Sequence, residues 1–160
     1  MVPDTICRAS PGSGLGSGYN CSDMERTLAI IKPDAVEKQF AGPIIQRIEA
    51  AGFRIRAMRR VHLSKAEAEG FYAVHRERPF FPSLTAFMSS GPAIVMVLEA
   101  DGAIKRWRDL MGPTDPSTAP AGSIRADFGT NIERNATHGS DAPETAAFET
   151  GYFFAGVDLV

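Results

Sequence analysis

The sequence predicts an α+β fold, and three observations point to it. Apolar runs suited to buried strands occur at Thr27 to Ile31 and Ala93 to Leu98, and an arginine-rich strand at Phe53 to Leu63. Helix-start and helix-stop signals fill the intervals between them. No self-similarity at solenoid periods is present. At 160 residues, with 44% hydrophobic and 22% charged residues, the chain has the size and composition of one globular domain with a real core.

The elements follow in order from Met24, the expected first residue of the folded unit. Thr27 to Ile31 reads as a buried strand, ended by Lys32-Pro33-Asp34, because proline cannot donate to a ladder. Taken by itself, Lys32 at that strand end reads as a solvated lysine. Gly42-Pro43 opens a helix with Ile44, Ile45 and Ile48 on one face and Gly52 as its stop. Phe53 to Leu63 is the second strand, and its Arg54, Arg56, Arg59 and Arg60 read as a solvated face or protected edge. Ser64 with Glu67 forms a capping box for a helix that includes Phe71, Tyr72 and Val74. Arg78-Pro-Phe-Phe-Pro82 breaks the chain, and its two phenylalanines are either both packed or divided between core and surface. A short helix from Ser83 to Ser90 ends at Gly91-Pro92, and Ala93 to Leu98 is the clearest strand, buried on both faces. Asp101-Gly102 leads into a helix with Ile104, Trp107 and Met111 on one side. Arg108 lies beside that side, either reaching a cleft or snorkelling. Gly112 to Gly122 is a long proline-rich loop, a type that tends to be functional in compact domains. Ser123 to Asp127 is one helical turn, and a short strand is expected around Asn135 to His138. Asp141 with Glu144 reads as a second capping box, with Pro143 in the first turn of a last helix that stops at Gly151. The order predicts an antiparallel or mixed sheet covered by helices on one face, a ferredoxin-like arrangement with additional helices and the long loop.

Residues 1–23 differ from the rest. Gly12-Ser-Gly-Leu-Gly-Ser-Gly18 has the composition of a flexible linker, so this leader is expected to be a disordered tail, an appended segment or an upstream start. It lacks an apolar core for a secretory signal, and its glycines lack a following Lys-Ser/Thr and a preceding strand, so it is no P-loop. No run approaches a membrane span, so a soluble, cytoplasmic chain is expected. Cys7 and Cys21 make neither a disulfide framework nor a metal cluster. A net charge of -2 advertises neither nucleic acid nor an anionic membrane as partner.

Asn135-Ala-Thr-His-Gly-Ser-Asp141 is the stretch with most chemistry. His138 stands among small and polar neighbours just before a helix N-terminus, where anions are favoured. Alone, it reads as a loop histidine of no consequence. Five further blocks change that: Lys32-Pro-Asp-Ala-Val36, Arg78-Pro-Phe-Phe81, Ser90-Gly-Pro92, Gly112-Pro-Thr114 and Ser123-Ile-Arg-Ala-Asp-Phe128. Together, in register from about Met24 to Phe154, these blocks closely resemble the nucleoside diphosphate kinases.

That resemblance implies transfer of the γ-phosphate of a nucleoside triphosphate to an enzyme histidine and then to a different nucleoside diphosphate, a ping-pong scheme. His138 matches the nucleophile. A free imidazole titrates near pH ~6.5, so one ring nitrogen carries an available lone pair at cellular pH. Glu149 is the expected orienting partner of the other nitrogen, with Ser140 holding that glutamate. Phosphoryl transfer needs positioning and charge cancellation. By resemblance Arg108, Thr114 and Arg125 contact the β- and γ-phosphates, Lys32 bridges phosphate and ribose, Asn135 holds the ribose, and Tyr72 lies near the transferred phosphate. Mg²⁺ is expected to bridge the phosphates largely through water, with Asp141 in its outer shell. Phe80 and Ile132 are expected to sandwich the base, and such stacking tolerates every base. Family members are hexamers or tetramers built from a common dimer through the second strand and first helix; the proline-rich loop tilts the expectation toward a hexamer.

Two other classes share features with this sequence. RNA-recognition modules share the topology but need paired aromatics and basic flanks on a central strand, and Ile94 to Leu98 has none. A phosphohistidine carrier or a dead scaffold would not need a base-stacking Phe80, a ribose-holding Asn135 and a full set of phosphate contacts.

Overall fold

The computed structural model describes residues 24–159; the leader expected to be disordered lies outside the described residues. Four strands form one antiparallel sheet in the order β2-β3-β1-β4: β1 Met24–Ile31, β2 Arg54–Val61, β3 Ala93–Asp101 and β4 Thr137–Gly139. This is the ferredoxin-like order, with the apolar β1 and β3 at its centre. They pair along their length from Met24 opposite Asp101 to Ile31 opposite Ile94.

Alternation along these strands builds two cores rather than one. Ala29, Ile31, Met96, Leu98 and Ala100 point to one face, where Ile44, Ile48, Trp107, Met111 and Ile124 cover them. Leu28, Ile30, Val95 and Val97 point to the other, beneath Phe71, Tyr72, Phe87, Met88, Phe153 and Phe154. The expectation of helices on one face is therefore corrected: both faces are covered, which is why β1 and β3 read as continuous apolar runs instead of alternating ones.

The helices are α1 Pro33–Glu37, α2 Ala41–Ala50, α3 Lys65–Phe71, α4 Phe81–Met88, α5 Ala103–Met111, α6 Ile124–Phe128 and α7 Pro143–Phe153. Lys32-Pro33-Asp34 is not a simple turn: Pro33 occupies the first position of α1, where its missing N–H costs nothing. The Ser64–Glu67 capping box is present, with Glu67 Nα–H donating to Ser64 Oγ at 3.2 Å and Ser64 Nα–H donating to Glu67 Oε2 at 2.7 Å. Val74 lies beyond α3 on a 3₁₀ turn and is exposed.

Two expectations about α7 fail. Ala142, not Asp141, is its N-cap, and Thr145 rather than Glu144 reaches back: Ala142 N–H donates to Thr145 Oγ1 at 3.0 Å, and that hydroxyl donates to Asp141 Oδ1 at 2.7 Å. The helix also runs through Gly151 to Phe153. Glycine costs a helix interior about 1 kcal/mol relative to alanine, and the burial of Phe153 and Phe154 in the second core outweighs it. The reading of all four strand arginines as solvated is corrected in part. Arg56, at a bulge in β2, donates to buried Glu99, and Arg59 donates to the Phe153 carbonyl and lies over the Phe154 ring. Arg54 and Arg60 are exposed.

Candidate active site

A cleft of about 500 Å³ opens where the ends of β1 and β4 meet α5, α6 and the loops before β4. Lys32, Tyr72, Phe80, Arg108, Thr114, Arg125, Ile132, Asn135, His138, Asp141 and Glu149 all line it. Residues drawn from the whole length of the described chain are thus brought to one cavity. Ser140 stands one bond behind it.

His138 sits on β4 opposite Ile30 of β1. Its Nε2 lies 3.1 Å from both carboxylate oxygens of Glu149 on α7. Ser140 Oγ donates to Glu149 Oε2 at 2.7 Å and accepts the Leu28 N–H at 3.2 Å. The carboxylate is held by the strand that carries the imidazole and fixes the ring with its proton on Nε2. Nδ1 has no hydrogen-bond partner among the described residues. The edges of Phe71 and Tyr72 flank the ring, with centroids 5.6 and 5.9 Å away.

Sequence reasoning did not anticipate what seats this histidine. Trp107 Nε1–H donates to the His138 carbonyl at 3.2 Å. A Cβ on Gly139 would lie 2.4 Å from Trp107 Cδ1, so glycine is what lets β4 press against the indole. Trp107 had read only as a core residue, and the single signal for Gly139 was its place beside His138.

The cations are set at different depths. Lys32, far from being solvated, is 6% exposed. Its ammonium donates to Asn135 Oδ1 at 2.7 Å and to the Glu133 carbonyl at 3.3 Å. Burial, then the charge of Arg125, lowers its pKa to about 8, against the opposing charges of Asp34 and Glu133. Arg125 donates through Nη1 to the Gly112 carbonyl and through Nη2 to the Thr137 carbonyl, both at 3.0 Å, while its buried Nε–H has no partner among the described residues. Burial and Arg108 lower its pKa to about 10. Gly112 at φ 83° supplies that carbonyl in the left-handed region. Arg108 on α5 is exposed and lines the cleft, which settles its direction. Asn135 Nδ2–H donates to the Thr114 carbonyl at 2.9 Å, tying the proline-rich loop to the strand end.

Tyr72 is buried, and its hydroxyl has no partner among the described residues. Burial, reinforced by the Glu149 charge, holds the phenol well above its usual range, so it stays an O–H donor. Phe80 is 49% and Ile132 61% exposed at the cleft mouth. Phe81 turns inward against the second core, so the two phenylalanines are divided. Asp141 is exposed; the Thr145 hydroxyl, followed by Arg108 and His138, holds its carboxyl below the usual range.

A carboxylate-oriented imidazole, three cations at graded depth and an exposed aromatic platform in one cleft define a phosphotransferase of nucleotides. The family model for nucleoside diphosphate kinase matches residues 25–159. Over 137 residues, covering 86% of this chain and all of each relative, the chain is 64% identical to a nucleoside diphosphate kinase of Syntrophotalea carbinolica and 58% identical to one of Geobacter sulfurreducens. Among solved structures, the Aquifex aeolicus nucleoside diphosphate kinase superposes with a TM-score of 0.83 at 49% identity, covering 86% of this chain and 99% of that one. The Halobacterium salinarum enzyme in complex with CDP gives 0.82 at 36%, covering 86% and 91%. The chain belongs to the nucleoside diphosphate kinase family and carries that family's phosphotransferase activity on nucleotides, which is exercised with a divalent metal. Among the described residues, no helix is long and apolar enough to cross a membrane.

Proposed function

We propose that residues 24–160 form a nucleoside diphosphate kinase domain acting by a ping-pong mechanism through His138. Nδ1 attacks the γ-phosphorus of a nucleoside triphosphate; the N–P bond forms as the bond to the β–γ bridging oxygen breaks, and the nucleoside diphosphate leaves with that oxygen. The terminal oxygen of a second diphosphate then attacks the phosphohistidine and the N–P bond breaks. Glu149, held by Ser140, keeps the Nε2 proton and stabilises the ring as Nδ1 becomes bonded. Arg108 and Arg125 neutralise and orient the β- and γ-phosphates, and the Thr114 hydroxyl helps to orient them. Lys32 contacts phosphate and ribose, Asn135 holds the ribose, and the Tyr72 hydroxyl donates to the transferred group. Phe80 and Ile132 hold the base by its faces.

The cleft suits Mg²⁺ bound chiefly through substrate. Among the described residues no three His, Cys, Asp or Glu side chains gather as a metal cluster; of the carboxylates lining the cleft, Glu149 is committed to His138 and Ser140, Glu133 is half-buried beside Lys32, and Asp141 is the exposed one. One outer-shell carboxylate fits an ion that keeps its water and phosphate ligands. When bound, Mg²⁺ supplies counter-charge to the phosphate oxygens. We further place the enzyme in the cytoplasm, as a hexamer or tetramer built from dimers that are joined through β2 and α2.

The single observation that carries this reading is the Ser140–Glu149–His138 chain opening on a cationic cleft. Incubation with γ-labelled GTP and no acceptor should put acid-labile label on His138, and ADP should remove it. His138→Ala should abolish turnover while retaining nucleotide binding and assembly, since a neutral ring contributes little ground-state affinity. Label that never forms, or does not chase, refutes the mechanism. Base recognition by stacking alone should give kcat/KM values within about tenfold across purine and pyrimidine nucleotides, whereas a steep preference for one base would refute the Phe80 assignment.

A further inference from the structure

Ala136 is a non-glycine residue at φ 68°, two positions before the histidine. Around it, Thr137 N–H donates to the Asn135 carbonyl at 2.8 Å, closing a three-residue turn of the strained, left-handed kind. Such a conformation persists only where the surroundings hold it. Two bonds do so here. Lys32 N–H donates to the Ala136 carbonyl at 2.8 Å, and Ala136 N–H donates to Asp34 Oδ2 at 3.1 Å. Asp34 is 3% exposed, and its Oδ1 is buried without a partner among the described residues. A carboxylate set so deep for one backbone bond is costly unless its charge serves a neighbour.

We propose that Asp34 is a positioning residue of the phosphotransfer site: it clamps the strained turn that aims Asn135 and His138 into the cleft, and its carboxylate is the counter-charge set beside the buried Lys32 end of that turn. The proposal rests on the His138 reading above. The groups acting on Lys32 are Arg125 from α6, which opposes its charge, and Asp34 from α1 with Glu133 from the loop before β4, which favour it. Asp34 is not ion-paired with Lys32, so it acts through space. Its loss leaves Glu133 alone against burial and Arg125.

Three variants separate the two roles. Asp34→Asn keeps an oxygen for the Ala136 N–H and loses the charge. It should leave the plateau rate of His138 labelling within about twofold of wild type, while the alkaline limb of kcat/KM moves about one pH unit lower, the size expected for removing one nearby opposite charge. Asp34→Ala loses the clamp as well, and plateau labelling should fall roughly tenfold, as for misplacement of a reacting group. Adding Ala136→Gly to Asp34→Ala should restore part of that rate, because glycine adopts the turn without the clamp. An Asp34→Asn limb coincident with wild type overturns the electrostatic role. Plateau labelling by Asp34→Ala equal to wild type, or unmoved by the added glycine, overturns the clamp. Where Asp34→Ala does not fold, the Asp34→Asn profile decides the proposal. Wild-type labelling of His138 is the internal control: its absence fails the mechanism itself, while its presence with an Asp34→Asn alkaline limb that does not move fails only the electrostatic part of this inference.

Discussion

Lys32 shows how a single side chain ties the chemistry to pH. Its pKa of about 8 comes first from burial and then from Arg125. The ammonium is therefore present below that value and lost as pH rises through it. Because kcat/KM reports the free enzyme, it should decline as pH passes about 8. Bound phosphate adds negative charge beside the ammonium and raises its pKa, so the kcat limb should lie at higher pH. Parallel pH profiles of kcat and kcat/KM check this; limbs that coincide would assign the titration to another group. Neither the depth of Lys32 nor the partners of Arg125 was legible in the sequence, since both depend on carbonyls from Gly112, Glu133 and Thr137 that meet only in space.

The elements hold these side chains by close approach. β4 has only three residues, and it is kept in place by pairing with Ala29 to Ile31 and by Trp107 from α5. Gly139→Ala would drive a methyl group into the indole. We expect a loss of about 1–3 kcal/mol of stability, the usual cost of overpacking a core, with slower phosphohistidine formation as β4 shifts. A denaturant titration and a single-turnover labelling assay on the same variant measure the two effects; an unchanged midpoint would show that the strand has room. The start of α7 was misread because Asp141, Ala142 and Pro143 offer competing caps, and Thr145 wins by a hydroxyl geometry that residue type alone does not reveal. The end of α7 was misread because Gly151 is an honest local stop that two buried phenylalanines override.

At the scale of the molecule, a central pair of strands is buried on both faces while β2 lies at the sheet edge with Arg54, Met58, Arg59 and Arg60 exposed. An edge of eight residues is long enough to pair with another copy. If β2 and α2 make the dimer we propose, light scattering should return a mass four or six times 17.2 kDa. A mass of one protomer at assay concentration would refute the assembly. Saturating nucleotide should also raise the melting midpoint, with about 2.7 kcal/mol gained at a hundredfold excess over Kd; no shift would deny the cleft a ligand.

The sequence by itself determined the strands, most of the helices and many of the residues that line the cleft, because strand burial, proline and glycine punctuation and short motifs are local properties that a chain states openly. It also determined the reaction class, since the motif residues are chemically specific. The tertiary structure decided the second covered face, the depth of Lys32, and the hold of Asp34 on the turn at Ala136. Those depend on dielectric and on distances between residues about a hundred positions apart, quantities that exist only once the chain has closed on itself.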